Sequence, residues 1–211
     1  EYSAEYNVPL LGLNFGHLGY LAELKKDQLE ELSKIAEGDY KIEERIMLSV
    51  EVIRDGKQIY HTHALNDVVA TKGLVSKMVH ILLEIDGKYT GDYYSDGIIV
   101  STPTGSTAYS LSAGGPIISP QADVFVLTAV APHSLGVRPM VIADDKTLHL
   151  TIESRNGSFL VAVDGISRSY PEQTSLSLRK APHTIRVIKQ EDSTFFRTLQ
   201  NKMMWGTDPR E

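Results

Sequence analysis

The sequence predicts a chain of mixed class, an α/β segment followed by an all-β domain and a closing helix. Three observations predict it. A short apolar strand runs through a glycine-bearing loop into a helical pattern near the start. A long middle stretch alternates apolar and polar residues between Asp-Gly and Asn-Gly pairs. A single amphipathic pattern follows near the end.

The first zone is 1–38. Glu1-Tyr-Ser-Ala-Glu-Tyr-Asn7 reads as the polar tail of a helix already under way, which suggests that a preceding portion has been lost. Val8–Asn14 reads as a buried strand, and Asn14–Tyr20 as a loop with glycines at 16 and 19. A helix follows, with Asp27 as its cap and Glu30 completing a capping box. Leu29, Leu32 and Ile35/Ala36 supply its apolar face, and Gly38 stops it.

The second zone, 39–190, is β-rich. Ser49–Arg54 and Gln58–His63 flank Asp55-Gly56, and Val79–Ile85 and Lys88–Tyr93 flank Asp86-Gly87, the pairs favoured in type I′ hairpin turns. Ala64–Val69, Gly97–Ser101, Thr147–Glu153, Phe159–Val163, Ser175–Arg179 and Thr184–Ile188 read as further strands, punctuated by Asn156-Gly157 and Asp164-Gly165. Gly105 to about Ala113 reads as a short helix. In the third zone, 191–211, Phe196, Leu199 and Met203 fall on one helical face, which would dock back onto the first zone. Residues 207–211 read as frayed.

Composition narrows the function. The 211 residues are 42% hydrophobic and 23% charged, ordinary for a globular chain, and carry a net charge of −6. An acidic balance argues against general nucleic-acid binding. With no cysteine there is no disulfide framework, thiolate metal site or cysteine nucleophile. The apolar runs Gly97–Ser101 and Val124–Ala131 are too short to span a bilayer. A soluble, cytoplasmic protein is expected.

The segment most able to carry chemistry is Asp96-Gly-Ile-Ile-Val-Ser-Thr-Pro-Thr-Gly-Ser-Thr-Ala-Tyr109. An apolar strand delivers its C-terminal end to a turn dense in Gly, Ser and Thr, where a ligand crevice is expected. The hydroxyls of Thr102, Thr104, Ser106 and Thr107 exceed what one helix cap uses. No lysine follows the glycine, so it is not a Walker A loop. Asn66-Asp67 interrupts an apolar run. It suits a grip on a ribose diol, and equally an Asx turn at a strand end. Asp96 starts a strand beside the hydroxyl loop, while Asp164 by itself reads as a turn residue. His61 and His63 share a strand face without a matching carboxylate, which makes a poor metal site.

Five segments together resemble the NAD kinases: Leu11–Leu21, Ala64–Val68, Asp96–Pro116, Pro132–Pro139 and Val163–Gly165. They occur in family order and reach across nearly the whole chain, and 96–116 is the most specific of them. The resemblance implies a Rossmann-like N-terminal α/β domain, of which 1–38 is a remnant, and a β-sandwich-like NAD-binding domain. It implies transfer of the γ-phosphoryl group of ATP, or of polyphosphate, to the adenosine ribose 2′-hydroxyl of NAD, giving NADP, with magnesium or another divalent cation accompanying ATP. Carried over by position, Asn66 and Asp67 would hold the ribose. Thr104, Thr107, Ala108, Tyr109 and Ser112 would line the adenine and nicotinamide positions. Asp96 would accept from an amide or amine. Ala131 would lie at a subunit contact reaching a neighbour's ligand, and Asp164 near the phosphates or second nucleoside. A homodimer or homotetramer is implied, and Val124–Ala131 is apolar enough to bury a contact.

Three departures stand out. Asp67 takes the place of the family's usual glutamate. Tyr94 stands where arginine is frequent. The Gly-Gly-Asp-Gly loop, whose aspartate is the family's base, occurs nowhere in the 211 residues. Family order puts it upstream of residue 1, so these residues on their own are expected to be catalytically crippled while retaining much of the NAD pocket. Two rivals stay open: a non-catalytic NAD-binding or assembly module, and a lipid kinase of the same broad fold.

Overall fold

The computed structural model describes residues 6–15, 22–73 and 77–206. The chain divides into two compact units, one of residues 1–45 with 184–211, the other of 46–183. The first boundary therefore falls after 45, not 38. The stretch 39–45 contains a strand the sequence reading missed, and that strand pairs with the one at 185–189.

In the first unit, β1 (Leu13–Asn14) lies parallel to β2 (Leu24–Lys25), and Leu10 forms a parallel bridge to Val187. The buried strand expected over 8–14 is thus reduced to two residues and a bridge. Val8, Leu10 and Leu13 are all well exposed, so among the described residues its apolar side chains are not enclosed. The glycine loop 16–20 lies outside the described residues. The expected helix is broken in two. A 3-10 turn spans Lys26–Glu31, with Gln28 out of helical geometry, and α1 (Leu32–Ala36) follows and buries no residue. The side chains of Asp27 and Leu29 lie outside the described set, so the capping box does too. Gly38, at φ +93°, ends the helix as a left-handed glycine does.

Strand β3 (Lys41–Arg45) pairs antiparallel with β16 (Ile185–Lys189). Helix α3 (Phe195–Met203) is capped by Thr194, whose hydroxyl accepts from the Arg197 N–H at 3.2 Å. Its phase differs from expectation: Leu199 is buried, but Phe196 is 66% exposed. Helix α3 is tied to the start of the chain by Lys202 Nζ, which donates to the Ala22 carbonyl at 2.6 Å. A buried ion pair, Lys189–Glu23 at 2.7 Å, joins the two ends of the unit. Burial pushes the Glu23 carboxyl up, but Lys189 and the Gln190 N–H overcome this and hold it below its ordinary value.

The second unit is a sandwich of two six-stranded sheets in which every paired strand is antiparallel. One sheet is built from β4 (Leu48–Arg54), β5 (Lys57–Ala64), β7 (Val79–Ile85), β8 (Lys88–Ser95), β12 (Leu148–Glu153) and β15 (Thr174–Lys180), in the order β5-β4-β15-β12-β7-β8. The other contains β6 (Asp67–Lys72), β9 (Gly97–Ser101), β10 (Val124–Val130), β11 (Met140–Ala143), β13 (Ser158–Val163) and β14 (Ile166–Pro171), in the order β11-β10-β9-β6-β13-β14.

The period-2 pattern decides which side chains meet between the sheets. Val50, Val52, Ile81, Leu83, Leu150, Ile152 and Leu176 from the first sheet join Val68, Val100, Phe125, Leu127, Phe159 and Val161 from the second in one core. In β9 the residues of both faces are buried, Ile99 as fully as Ile98 and Val100. Helix α2 (Tyr109–Ser112) contacts β9 and β10, where the Ser110 and Thr128 hydroxyls share a buried hydrogen bond of 2.9 Å. The segment Val124–Ala131, apolar enough in sequence to bury a subunit contact, is mostly β10. Phe125 and Val126 are fully buried in it, so its apolarity is consumed inside the fold.

The hairpin turns follow the sequence. Asp55-Gly56, Asp86-Gly87 and Asp164-Gly165 all have positive φ at both residues, as a type I′ turn requires.

Candidate functional site

Strands β6 and β9 run antiparallel, with Asp67 opposite Ser101 and Thr71 opposite Gly97. Each end of this strand pair gathers part of the expected residue set.

At the Asp67 end, the Asp164 carboxylate accepts three consecutive backbone N–H groups, from Leu65 at 2.7 Å, Asn66 at 2.8 Å and Asp67 at 3.0 Å. The Asp164 N–H returns a bond to the Asp67 carbonyl at 3.0 Å. Asp164 is therefore a turn residue at φ +45° and also the clamp that shapes Leu65-Asn66-Asp67. Thr102 fixes the other side. Its N–H donates to the Asn66 carbonyl at 2.9 Å, and its hydroxyl donates to the Leu65 carbonyl at 2.5 Å and accepts from the Gly105 N–H at 3.2 Å.

Gly105 has to be glycine. A Cβ there would stand 2.0 Å from the Asn66 carbonyl oxygen and 2.4 Å from its carbon, both backbone atoms that cannot swing away.

The hydroxyl-rich turn is not one helix. A 3-10 turn over Thr104–Thr107 breaks at Ala108 (φ −95°, ψ −129°) before α2. Nor are all its hydroxyls available to a ligand. Ser106 Oγ donates to the Pro103 carbonyl at 2.7 Å and accepts from the Ile118 N–H at 3.0 Å, which makes it, like Thr102, a fastening of the loop. Thr104 is buried, Thr107 half-buried, and Ala108, Tyr109 and Ser112 are exposed.

Asp67 is 6% exposed. Burial, with the nearby Asp164 charge adding to it, pushes its carboxyl up to about 6 against the opposing pull of the Tyr109 backbone N–H. A carboxyl so placed changes charge near neutrality, a property concentrated at functional sites.

At the opposite end, Asp96 pairs with Lys72 at 2.7 Å. Its carbonyl accepts from the Thr71 hydroxyl at 2.8 Å and the Lys72 N–H at 2.9 Å. The Asp96 N–H donates to the Val130 carbonyl at 2.9 Å, next to the exposed Ala131 at φ +45°. The sequence reading placed Asp96 beside the hydroxyl loop. The strand between them, Gly97–Ser101, separates the two by roughly 20 Å, six residues from Asp96 to Thr102 at about 3.4 Å each. Within one chain, Asn66, Asp67, Asp164 and 104–112 come together, and Asp96 and Ala131 do not join them. Lys72 and Gly105 were missed. For Lys72 the available signal was a cation at the far end of the strand that Asp67 opens.

Among the described residues, no group of three His, Cys, Asp or Glu side chains could hold a metal ion. None of their helices is long and apolar enough to cross a membrane.

Residues 65–190 match the model of the ATP-NAD kinase C-terminal domain family. An NAD kinase from Bacteroides fragilis is 45% identical over 205 residues, covering 96% of this chain and 70% of that protein. An NAD kinase from Heliobacterium modesticaldum is 43% identical over 210 residues, covering 97% of this chain and 73% of that protein. Among solved structures, yeast NADH kinase complexed with NADH superposes with a TM-score of 0.87 at 26% identity, covering 95% of this chain and 60% of that one. An Archaeoglobus fulgidus NAD kinase in complex with ATP gives a TM-score of 0.78 at 28% identity, covering 93% of this chain and 74% of that one. Matched to the family model over more than half its length and to NAD kinases over nearly all of it, this chain belongs to the NAD kinase family.

Proposed function

We propose that the protein transfers the γ-phosphoryl group of ATP, or a terminal phosphoryl group of polyphosphate, to the 2′-hydroxyl of the adenosine ribose of NAD. These 211 residues supply the dinucleotide-binding part. The observation that carries the reading is the Asp164 clamp, which holds Asn66-Asp67 in a fixed geometry against a hydroxyl-bearing loop. A polar pair held this rigidly beside a core strand suits a ribose diol better than a lipid chain.

Ionised, Asp67 accepts a hydrogen bond from a ribose hydroxyl, and Asn66 both donates and accepts. Thr104, Thr107, Ala108, Tyr109 and Ser112 line the adenine and nicotinamide positions, and Asp164 stands near the phosphates or second nucleoside. Asp96 and Ala131, at the far end of β6 and β9, serve the ligand of a neighbouring copy in a homodimer or homotetramer.

In the transfer, the ribose oxygen forms a bond to the γ-phosphorus while the bridging bond to ADP breaks. The hydroxyl proton goes to a base. The family's base belongs to a Gly-Gly-Asp-Gly segment, which these residues do not contain, so their own part is to position the acceptor. Among the described residues no group of three His, Cys, Asp or Glu side chains could hold magnesium.

The test follows NADP formation from NAD, ATP and magnesium with an NADP-specific dehydrogenase, alongside NAD affinity. Asn66→Ala is expected to weaken NAD binding on the order of 10-fold, the worth of about one to two ligand hydrogen bonds. Unchanged NAD affinity in both Asn66→Ala and Asp67→Ala would sink the assignment. Tight NAD binding with no NADP formed would favour a binding module over a kinase.

A further inference from the structure

Three imidazoles gather in the second unit: His61 and His63 on β5, and His183 between β15 and β16. None of them is assigned to the nucleotide site. Thr62 and Ala64 are buried, so the two β5 histidines, two residues apart, share the outer face of the sheet. Strand β5 is an edge strand, and His61 on it is exposed, while His63 and His183 are half-buried.

The His61 and His63 rings meet edge to face with their centroids 4.8 Å apart, and His183 meets His63 in the same way at 4.5 Å. Such spacing has a meaning in coordination chemistry. With a metal–nitrogen bond of about 2.0 Å, an imidazole centroid lies about 3.2 Å from its ion, so two imidazoles at bond angles of about 90–109° have centroids about 4.5–5.2 Å apart. The His61–His63 separation falls inside that window.

Both rings are also held in place. His61 Nε2 shares a hydrogen bond of 3.0 Å with the hydroxyl of Ser49, a residue only 2% exposed. When Nε2 donates its proton to Ser49 Oγ, the lone pair on Nδ1 is left to bind. This is the arrangement of a metal-ligating histidine, whose second ring nitrogen donates to an oxygen that fixes tautomer and orientation. His183 packs against His63 and limits its swing. Glu51, opposite His61 in register, is engaged by Arg179 at 2.8 Å, so the local charge is balanced.

We propose that His61 and His63 chelate one divalent transition-metal ion at this sheet edge, with Ser49 as the positioning residue for His61. Among the described residues no His, Cys, Asp or Glu joins the pair as a third ligand, so water completes the coordination. Neutral imidazole suits copper, nickel and zinc, and Cu2+ stands highest in affinity among them. Magnesium, which takes oxygen ligands, is excluded by the same chemistry.

The probe is Cu2+, titrated into the whole protein and followed by electron paramagnetic resonance, in which coordinated imidazole nitrogens leave their couplings on the copper signal. The tightest-bound ion is expected to show two of them. His61→Ala and His63→Ala should each weaken it by at least roughly 10-fold and remove one coupling. Ser49→Ala should weaken it by a smaller factor with both couplings kept. Protons compete for the same nitrogens, so binding should be weaker at pH 5 than at pH 7.5. His61 is exposed, so its variant retains the fold and reads the site even where a replacement at His63 does not fold. Copper affinity unmoved by His61→Ala places the ion elsewhere and overturns the proposal, as does binding no tighter than that of free imidazole. An unaffected Ser49→Ala overturns the role given to Ser49.

Discussion

Replacing Asp164 tests whether one carboxylate organises the ribose-facing segment. It accepts from three consecutive N–H groups at 2.7–3.0 Å. Hydrogen bonds to a charged acceptor contribute about 1.5–3 kcal/mol each when buried. Asp164 is exposed, and water can replace part of what is lost, so about 1 kcal/mol for each is the working figure. Asp164→Ala then loses about 3 kcal/mol, and an alanine held at left-handed φ adds about 1 kcal/mol more, for a total of about 4 kcal/mol. Asp164→Asn tolerates the left-handed backbone and keeps one acceptor oxygen, but turns a donor toward one N–H, so it should cost only about 1–2 kcal/mol. Urea unfolding of both variants supplies the two numbers. NAD titration should show Asp164→Ala losing affinity as the 65–67 backbone relaxes. If Asp164→Ala stays within about 1 kcal/mol of wild type, or if alanine and asparagine cost the same, the clamp does not organise this segment.

Three further outcomes follow from the geometry. Because Asp67 has its carboxyl raised to about 6, the native state holds more protons than the unfolded chain between that value and the ordinary 3.8. Stability contributed by this group therefore falls as pH rises through the window, and the penalty is complete above it. Asp67→Asn should be more stable than wild type at pH 7, by on the order of 2 kcal/mol, and equal to it near pH 3, as measured by unfolding at each pH. Gly105→Ala should cost about 1–3 kcal/mol and abolish tight NAD binding, since its methyl group meets Asn66 backbone; a well-folded variant with normal affinity would contradict the packing. Lys189→Met leaves Glu23 charged in a site where its side chain is 4% exposed, and should destabilise the first unit by about 3–5 kcal/mol in thermal melts, with Glu23→Gln in the same chain recovering part of that.

Much of the fold was legible in the sequence because local chemistry agreed with the global arrangement. The Asp-Gly turns at 55–56, 86–87 and 164–165 need positive φ twice, and few residue pairs accept that. Gly97–Ser101 was read to the residue as β9 because an unbroken apolar run suits a strand covered on both faces. Strands β2, β3, β10, β11 and β14 were missed, two of them for a plain reason. Lys41–Arg45 and Ile166–Pro171 carry so many polar residues that their strand state comes from partners elsewhere in the chain. The site divides in the same way. Asn66, Asp67 and the 104–109 loop could be picked out from residue type. The clamp could not, because Asp164 acts on residues 97–99 positions away and by itself looks like any other turn aspartate. The separation of Asp96 from the loop was hidden too. Closeness in sequence says nothing about which end of an intervening strand a residue occupies.

The boundary at 45/46 and 183/184 has a consequence for how the chain can be taken apart. The 46–183 segment is one uninterrupted insertion into the 1–45 and 184–211 body, and its two ends emerge side by side, with the Ala181 N–H on the Met47 carbonyl at 2.9 Å. Just outside it, Arg45 faces Ile185 in register. Neighbouring termini are what allow a domain to be excised, transplanted or permuted. A few residues of turn in place of 46–183 would convert β3 and β16 into an ordinary hairpin. The excised sandwich, its ends already paired, could be circularised without altering its strand order.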